Sequence, residues 1–404
     1  MKKTAISLLL ALAMVLGLVL VAAPAAEAAT HANHCVCAGK TKGVGDHETC
    51  TEITEWTALT QASWNALQEQ YQDNEKHNSV LLPSGNYYLA EDVTIEGAML
   101  SNAEDAEIVI CLNGYTLTGA TENGAGVLRG NTVVVTKGTI SITDCSADNK
   151  GAIKSRNGAP TQPGTIQVLG DARSTLNIYA GNIYPADLLF TGGGASVRVA
   201  KGNFNLYGGV IYGGKSKSIG CTVTIASTNF VMYGGIIKAG TIEAGGTGNA
   251  LFIDGKALEG HVDIYGGIIE NGTDSFGITS GIYLRHIDST LHEYYVTIHG
   301  IDNDVIVAEG KGAPDQLRAD FSKLDADLQC EKLAETECTN SDGTTFKVTT
   351  YQISKKATTP ETPETPETPS NPETADSFSF VVLGLAMVMG VVGMVALLPK
   401  KETV

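Results

Sequence analysis

The chain has 404 residues, 43% of them hydrophobic and 18% charged, with 46 Gly, 12 Pro and 8 Cys. Its 27 Lys and Arg against 44 Asp and Glu give a formal charge of -17, so no basic stripe is available to neutralise a phosphate backbone and nucleic acid is not an expected partner. The length is enough for one large domain or two to three ordinary ones, and Gly at about 11% exceeds the usual ~7%, which implies many tight turns.

Lys2 and Lys3, the apolar run Ile6 to Val21 and Ala26-Glu27-Ala28 together read as a secretory signal over residues 1–28, cleaved near Ala28. Residues 29–52 form a His/Cys-rich leader, His31-x-x-His34-Cys35-x-Cys37 followed by His47-x-x-Cys50. Cys35, Cys37, His47 and Cys50 are candidate ligands for zinc, which takes thiolates and neutral imidazoles as donors. The Cys35-x-Cys37 spacing is tighter than a zinc-ribbon hook. A local disulfide with solvated histidines, or a leader whose histidines do nothing, are the alternatives. Residues 53–79 are expected to form an N-terminal cap, because Trp64, Leu67 and Tyr71 share one face of an amphipathic helix over Gln61 to Lys76.

A self-comparison aligns Leu176-Asn177-Ile178-Tyr179-Ala180-Gly181-Asn182-Ile183 with Phe204 to Ile211, Phe230 to Ile237 and Val262 to Ile269. Their tyrosines, Tyr179, Tyr207, Tyr233 and Tyr265, are 28, 26 and 32 residues apart, and a degenerate copy, Val296 to Ile301, places His299 a further 34 on. Each copy is an alternating strand, a Gly break and a second short strand, with a third β-type run before the next copy. Three short strands per ~28 residues fit one coil of a solenoid, and the Gly break supplies the backbone angles of a corner. An antiparallel sandwich would not explain the same corner recurring at the same place. The helix is expected over residues 80–310. Beyond it, residues 311–356 should close the open end, with Asp315 to Glu337 helix-prone and Thr344 to Ile353 strand-like. Cys330 and Cys338 are plausible disulfide partners there, and Cys111 with Cys145 across successive coils is another possible bridge.

Three Pro-Glu-Thr units within residues 357–370 make an extended, self-repelling spacer. Residues 371–404 then carry Asn371-Pro372-Glu373-Thr374-Ala375, the uncharged run Phe378 to Leu398, about 30 Å long as a helix, and Lys400-Lys401. This arrangement resembles a Gram-positive sortase sorting signal, although Asn371 and Ala375 depart from the commonest form. The resemblance implies cleavage between Thr374 and Ala375 and transfer to peptidoglycan, with retention in the membrane through the helix as the alternative. The expected location is the cell wall or the outer face of the cytoplasmic membrane.

The repeated Tyr-Gly-Gly-x-Ile resembles the right-handed parallel β-helices of the pectin-lyase-like group, especially surface proteins of gut Firmicutes. The expected fold class is therefore all-β, a right-handed parallel β-helix with a short helical N-terminal cap. Such folds often host polysaccharide lyases and hydrolases, which need paired carboxylates or a basic Arg. The weak catalytic candidates are Arg285, Asp288 and Glu293, with His286 and His292 nearby. Asn271-Gly272-Thr273-Asp274 resembles the Asn-Thr-Asp of polygalacturonases only with a Gly interposed, and the other acidic signatures of that family are missing. The residues lean against catalysis and toward a surface binding protein or adhesin for a glycan or protein ligand, with Tyr179, Tyr207, Tyr233 and Tyr265 as candidate contacts. A lyase or hydrolase and a structural wall spacer remain the alternatives.

Overall fold

Strands that alternate apolar and polar residues bury one side only, and coil stacking satisfies this when like positions fall in register. In the computed structural model they do. Ile140 aligns with Ile108 on one side and Leu176 on the other, then Leu176 with Phe204, Phe204 with Phe230 and Phe230 with Val262, every pairing parallel. The structure describes residues 31–37, 51–73, 79–101, 103–119, 131–155, 164–185, 189–190, 196–216, 222–226, 228–242, 250–254, 261–285, 295–310, 324–339 and 343–357. The signal segment, the Pro-Glu-Thr units, the sorting motif and Phe378 to Leu398 lie outside these residues, as do His47 and Cys50. Among the described residues no helix is long and apolar enough to cross a membrane.

The fold is an all-β parallel solenoid of the right-handed type. The coils lay strands on three main faces, and three successive coils add a short fourth strand, Leu189–Phe190, Lys215–Ser216 and Thr241–Ile242. In the coil around Tyr179 the three main strands are Ile166–Leu169 on the second face, Thr175–Ile178 on the first and Asn182–Tyr184 on the third. The third face is a seven-stranded parallel sheet running from Val93–Thr94 to Ile268–Ile269. One continuous core lies inside, with Ile142, Leu176, Phe204, Phe230, Ile264 and their counterparts wholly buried.

The Gly break turns the corner as the repeat implied. Gly181, Gly209, Gly235 and Gly267 have φ of 99°, 81°, 84° and 95°. Only the second Gly of each pair is left-handed, which explains why Ala180 is tolerated in the first position of one copy.

Both ends are closed, one as expected and one differently. Helix α1, Gln61–Tyr71, buries Trp64 and sets Leu67 and Tyr71 against the core. Its start is braced reciprocally: the Thr60 N–H donates to Ser63 Oγ at 2.8 Å and the Ser63 N–H to Thr60 Oγ1 at 3.1 Å. The helix stops before the expected Lys76, because Gln72–Asp73 is already a strand pairing with Ser79 and Val80.

At the far end the helix expectation fails for the described part. Leu328–Thr339 is a strand in an antiparallel hairpin with Thr345–Lys355, whose second strand also pairs antiparallel with Val305–Gly310. Pairing with Thr345–Lys355, itself laid on the last coil, overrides the helix propensity of the Glu, Lys, Leu and Ala residues. The outer strand exposes Glu331, Lys332, Glu335 and Glu337, and such charges discourage further edge pairing.

This hairpin also separates Cys330 from Cys338. They lie on one strand, opposite Ile353 and Phe346 respectively. Eight extended residues span ~26 Å, far beyond the Cα separation a disulfide tolerates.

Candidate functional site

The residue that follows each first-face strand forms a column along the solenoid. Tyr179 and Tyr207 stack at 4.6 Å between ring centroids, Tyr207 and Tyr233 at 4.9 Å, Tyr233 and Tyr265 at 5.3 Å, and Tyr265 and His299 at 4.2 Å. Every pair lies within 10° of parallel. The degenerate fifth copy therefore continues the ladder with an imidazole. His299 is held there by Asp263 at 3.5 Å and Asp325 at 3.3 Å. Exposure rises along the column, from 9% at Tyr179 to 39% at Tyr265. Stacked rings turn their faces to each other, so where the column is exposed, most at Tyr265, it offers solvent ring edges.

Beside it run two amide ladders. Asn205 donates from Nδ2 to Asn177 Oδ1 at 2.9 Å, and Asn177 donates onward to Ser141 Oγ at 3.1 Å. Asn229 donates to Asn203 Oδ1 at 2.9 Å and accepts from the His261 N–H at 3.0 Å. The third face holds a further column that the sequence reading missed. Lys154 sits 5.2 Å from the Tyr184 ring, Tyr184 stacks on Tyr212 at 4.3 Å, Lys238 lies 5.6 Å from the Tyr212 ring, and Glu270 pairs with Lys238 at 3.3 Å. Tyr184, Tyr212, Lys238 and Glu270 are each the third residue after the corner Gly. That recurrence was the available signal.

The leader docks on the N-terminal coils. His34–Cys35 pairs antiparallel with Glu52–Ile53, and the His31 ring lies flat on Tyr88 at 4.4 Å and 6°. Tyr88 is in register with Cys111, and Cys111 with Thr143, so Cys145 emerges two residues further along the next coil. The result is a cluster of His31, His34, Cys111 and Cys145 whose ligand atoms all lie within 4.8 Å of one another. His31 Nε2 is 2.9 Å from His34 Nε2 and 4.0 Å from Cys145 Sγ. The His34 ring donates from Nδ1 to the Cys35 carbonyl at 2.6 Å, which leaves Nε2 to face the cluster.

The cluster is strongly polarised. The hydrogen bond from Cys111 holds the Cys145 thiol far below its ordinary range, at about 3, against the opposing effect of burial and with help from both histidines. Cys111 is pushed up in return, by that hydrogen bond and by burial. At His34 burial opposes protonation, but the hydrogen bonds to Cys145 and the Cys35 carbonyl prevail and raise its pKa. Cys35 and Cys37 stand outside this set, their sulfurs 2.8 Å apart.

Of the catalytic candidates, Arg285 ends the strand Ile282–Arg285, while Asp288 and Glu293, with His286 and His292, lie outside the described residues. Asp274 has a local role: its Oδ1 accepts from the Phe276 N–H at 2.8 Å and the Ile278 N–H at 2.9 Å, closing the turn between Gly272–Thr273 and Thr279–Ser280. Burial raises its pKa while those two N–H groups oppose the shift. A raised folded-state pKa gives stability that is complete below the unfolded value and lost as pH rises through the folded one. Asp274→Asn should therefore gain on the parent in thermal melts between about pH 4 and about pH 7. An equal difference at both pH values would refute this.

No family model, curated protein or solved structure matches this chain. Its class rests on geometry: it is a parallel β-solenoid.

Proposed function

We propose that the chain is an exported, surface-displayed binding protein whose first face receives an extended ligand, a glycan chain being the chemistry that fits best. The supporting observation is the ladder from Tyr179 to His299 flanked by asparagine ladders. It repeats hydroxyl and amide groups at the ~4.8 Å spacing of successive parallel strands. A linear polymer lying along the axis meets a tyrosine at four successive coils and an imidazole at the next, with asparagine amides beside the first three, whereas a compact ligand meets only one or two of these groups. The acidic balance of the chain, -17, disfavours a polyanionic polymer and favours a neutral one. Display rests on residues 371–404, with Thr374 as the expected point of covalent attachment to peptidoglycan.

The test uses the full-length chain against plant, mucin and bacterial glycans of graded length, with bound protein and released fragments both measured. The triple variant Tyr207→Phe, Tyr233→Phe, Tyr265→Phe keeps the stacking and removes three hydroxyls. Each net hydrogen bond is worth ~1 kcal/mol, so affinity should fall at least about tenfold. Longer oligomers should bind more tightly than shorter ones. Unchanged affinity in the triple variant, or fragments released by the parent, would defeat this reading.

A further inference from the structure

We propose that His31, His34, Cys111 and Cys145 form a closed four-ligand site for a zinc-class divalent cation, which fastens the leader to the solenoid. The assignment does not rest on the ligand proposed for the ladder, although the site lies at the N-terminal end of the same face, where Cys111 and Thr143 precede Tyr179 in the stack. The site also differs from the Cys35, Cys37, His47, Cys50 set that the sequence spacing suggested, because the structure brings two leader histidines to two coil cysteines up to 114 residues away.

The donor chemistry is that of a structural Cys2His2 site. With metal–nitrogen bonds of ~2.05 Å and metal–sulfur bonds of ~2.3 Å, tetrahedral ligand atoms lie roughly 3.3 to 3.8 Å apart. The four atoms are within 4.8 Å of each other, and the observed 2.9 Å and 4.0 Å separations bracket that range, so shifts of no more than about 1 Å bring them onto a tetrahedron.

The surroundings fit as well. A ligating imidazole usually donates its other ring N–H to a carbonyl or carboxylate, and His34 Nδ1 has the Cys35 carbonyl at 2.6 Å. His31 is oriented by its stack on Tyr88 and by the Trp56 ring at 4.9 Å. Cys111 is fully buried and the other three are partly so, which leaves no open position of the kind a catalytic metal keeps. Two thiolates and a divalent cation are together neutral, and this removes the cost of burying either thiolate alone. The expected role is therefore to hold residues 31–37 against the coils of Cys111 and Cys145.

The full-length chain, purified under reducing conditions, equilibrated with zinc and freed of excess, should carry about one zinc per chain by elemental analysis. Cobalt substitution should give the visible bands of a tetrahedral site together with thiolate charge transfer. His31→Ala with His34→Ala removes two ligands on the leader without touching a coil, so its solenoid circular dichroism should be unchanged while bound metal falls at least about tenfold. Cys111→Ser with Cys145→Ser should lose the metal too, whereas Cys35→Ser with Cys37→Ser should retain it. A metal-free parent, a disulfide between Cys111 and Cys145 by peptide mapping, or metal lost only with Cys35 and Cys37 would each overturn the assignment.

Discussion

Phe230→Ala is expected to lower stability by ~3–5 kcal/mol, the cost of deleting a large aromatic side chain from a core that cannot collapse around the void. Phe230 is wholly buried, lies in register between Phe204 and Val262, and stacks on Phe204 at 5.0 Å. A solenoid gains stability from each coil and from each coil–coil interface, so the damage should be local as well as large. Urea unfolding would measure the total. Hydrogen exchange would locate it: strands Val197–Leu206 and His261–Ile264 should lose most protection, and the hairpin Leu328–Thr339 with Thr345–Lys355 little. A cost below about 1.5 kcal/mol, or a uniform loss of protection, would contradict this account.

The second large effect is Gly209→Ala. Gly209 has φ of 81°, and a Cβ there would meet the Gly181 carbonyl oxygen at 2.6 Å, a backbone atom that cannot swing aside. Left-handed strain alone costs ~1 kcal/mol for alanine, and the clash must also push two coils apart, so the total should reach about 3 kcal/mol. Gly277→Ala is the control. Its φ is 77°, but nothing lies within 4 Å of the added carbon, so only the strain remains. Thermal or urea unfolding of the two variants side by side separates the terms. Equal costs would mean that the close approach of successive corners contributes nothing.

These two predictions depend on features that could be read from the chain. The repeat is visible because coil-to-coil contact joins residues only one period apart: the 28 residues between Tyr179 and Tyr207 are both a sequence spacing and a physical stack. The corner glycines and inward Ile, Leu and Phe follow from the same fact. The Trp64, Leu67, Tyr71 stripe of the cap is likewise local, contained within a single helix.

What the tertiary structure decided lies where that periodicity stops. Nothing in the spacing of Leu328–Thr339 says that its helix-forming residues will be recruited as a strand, because the edge that recruits them is Thr345–Lys355, itself laid on the last coil. The spacing of Cys330 and Cys338 suggested a bridge, and the extended strand put them at opposite ends. The sequence marked the leader's His/Cys motif and the Cys111–Cys145 pair separately. Their union into one cluster required the leader to fold back over Tyr88, a contact with no period and no local propensity. The sequence by itself determined the coil, its corners and its ladder, since each is a repeated short-range choice. Only the fold determined the docking of the leader and the closing hairpin, since each is a single long-range contact whose energy comes from a surface that exists only after the coils have stacked.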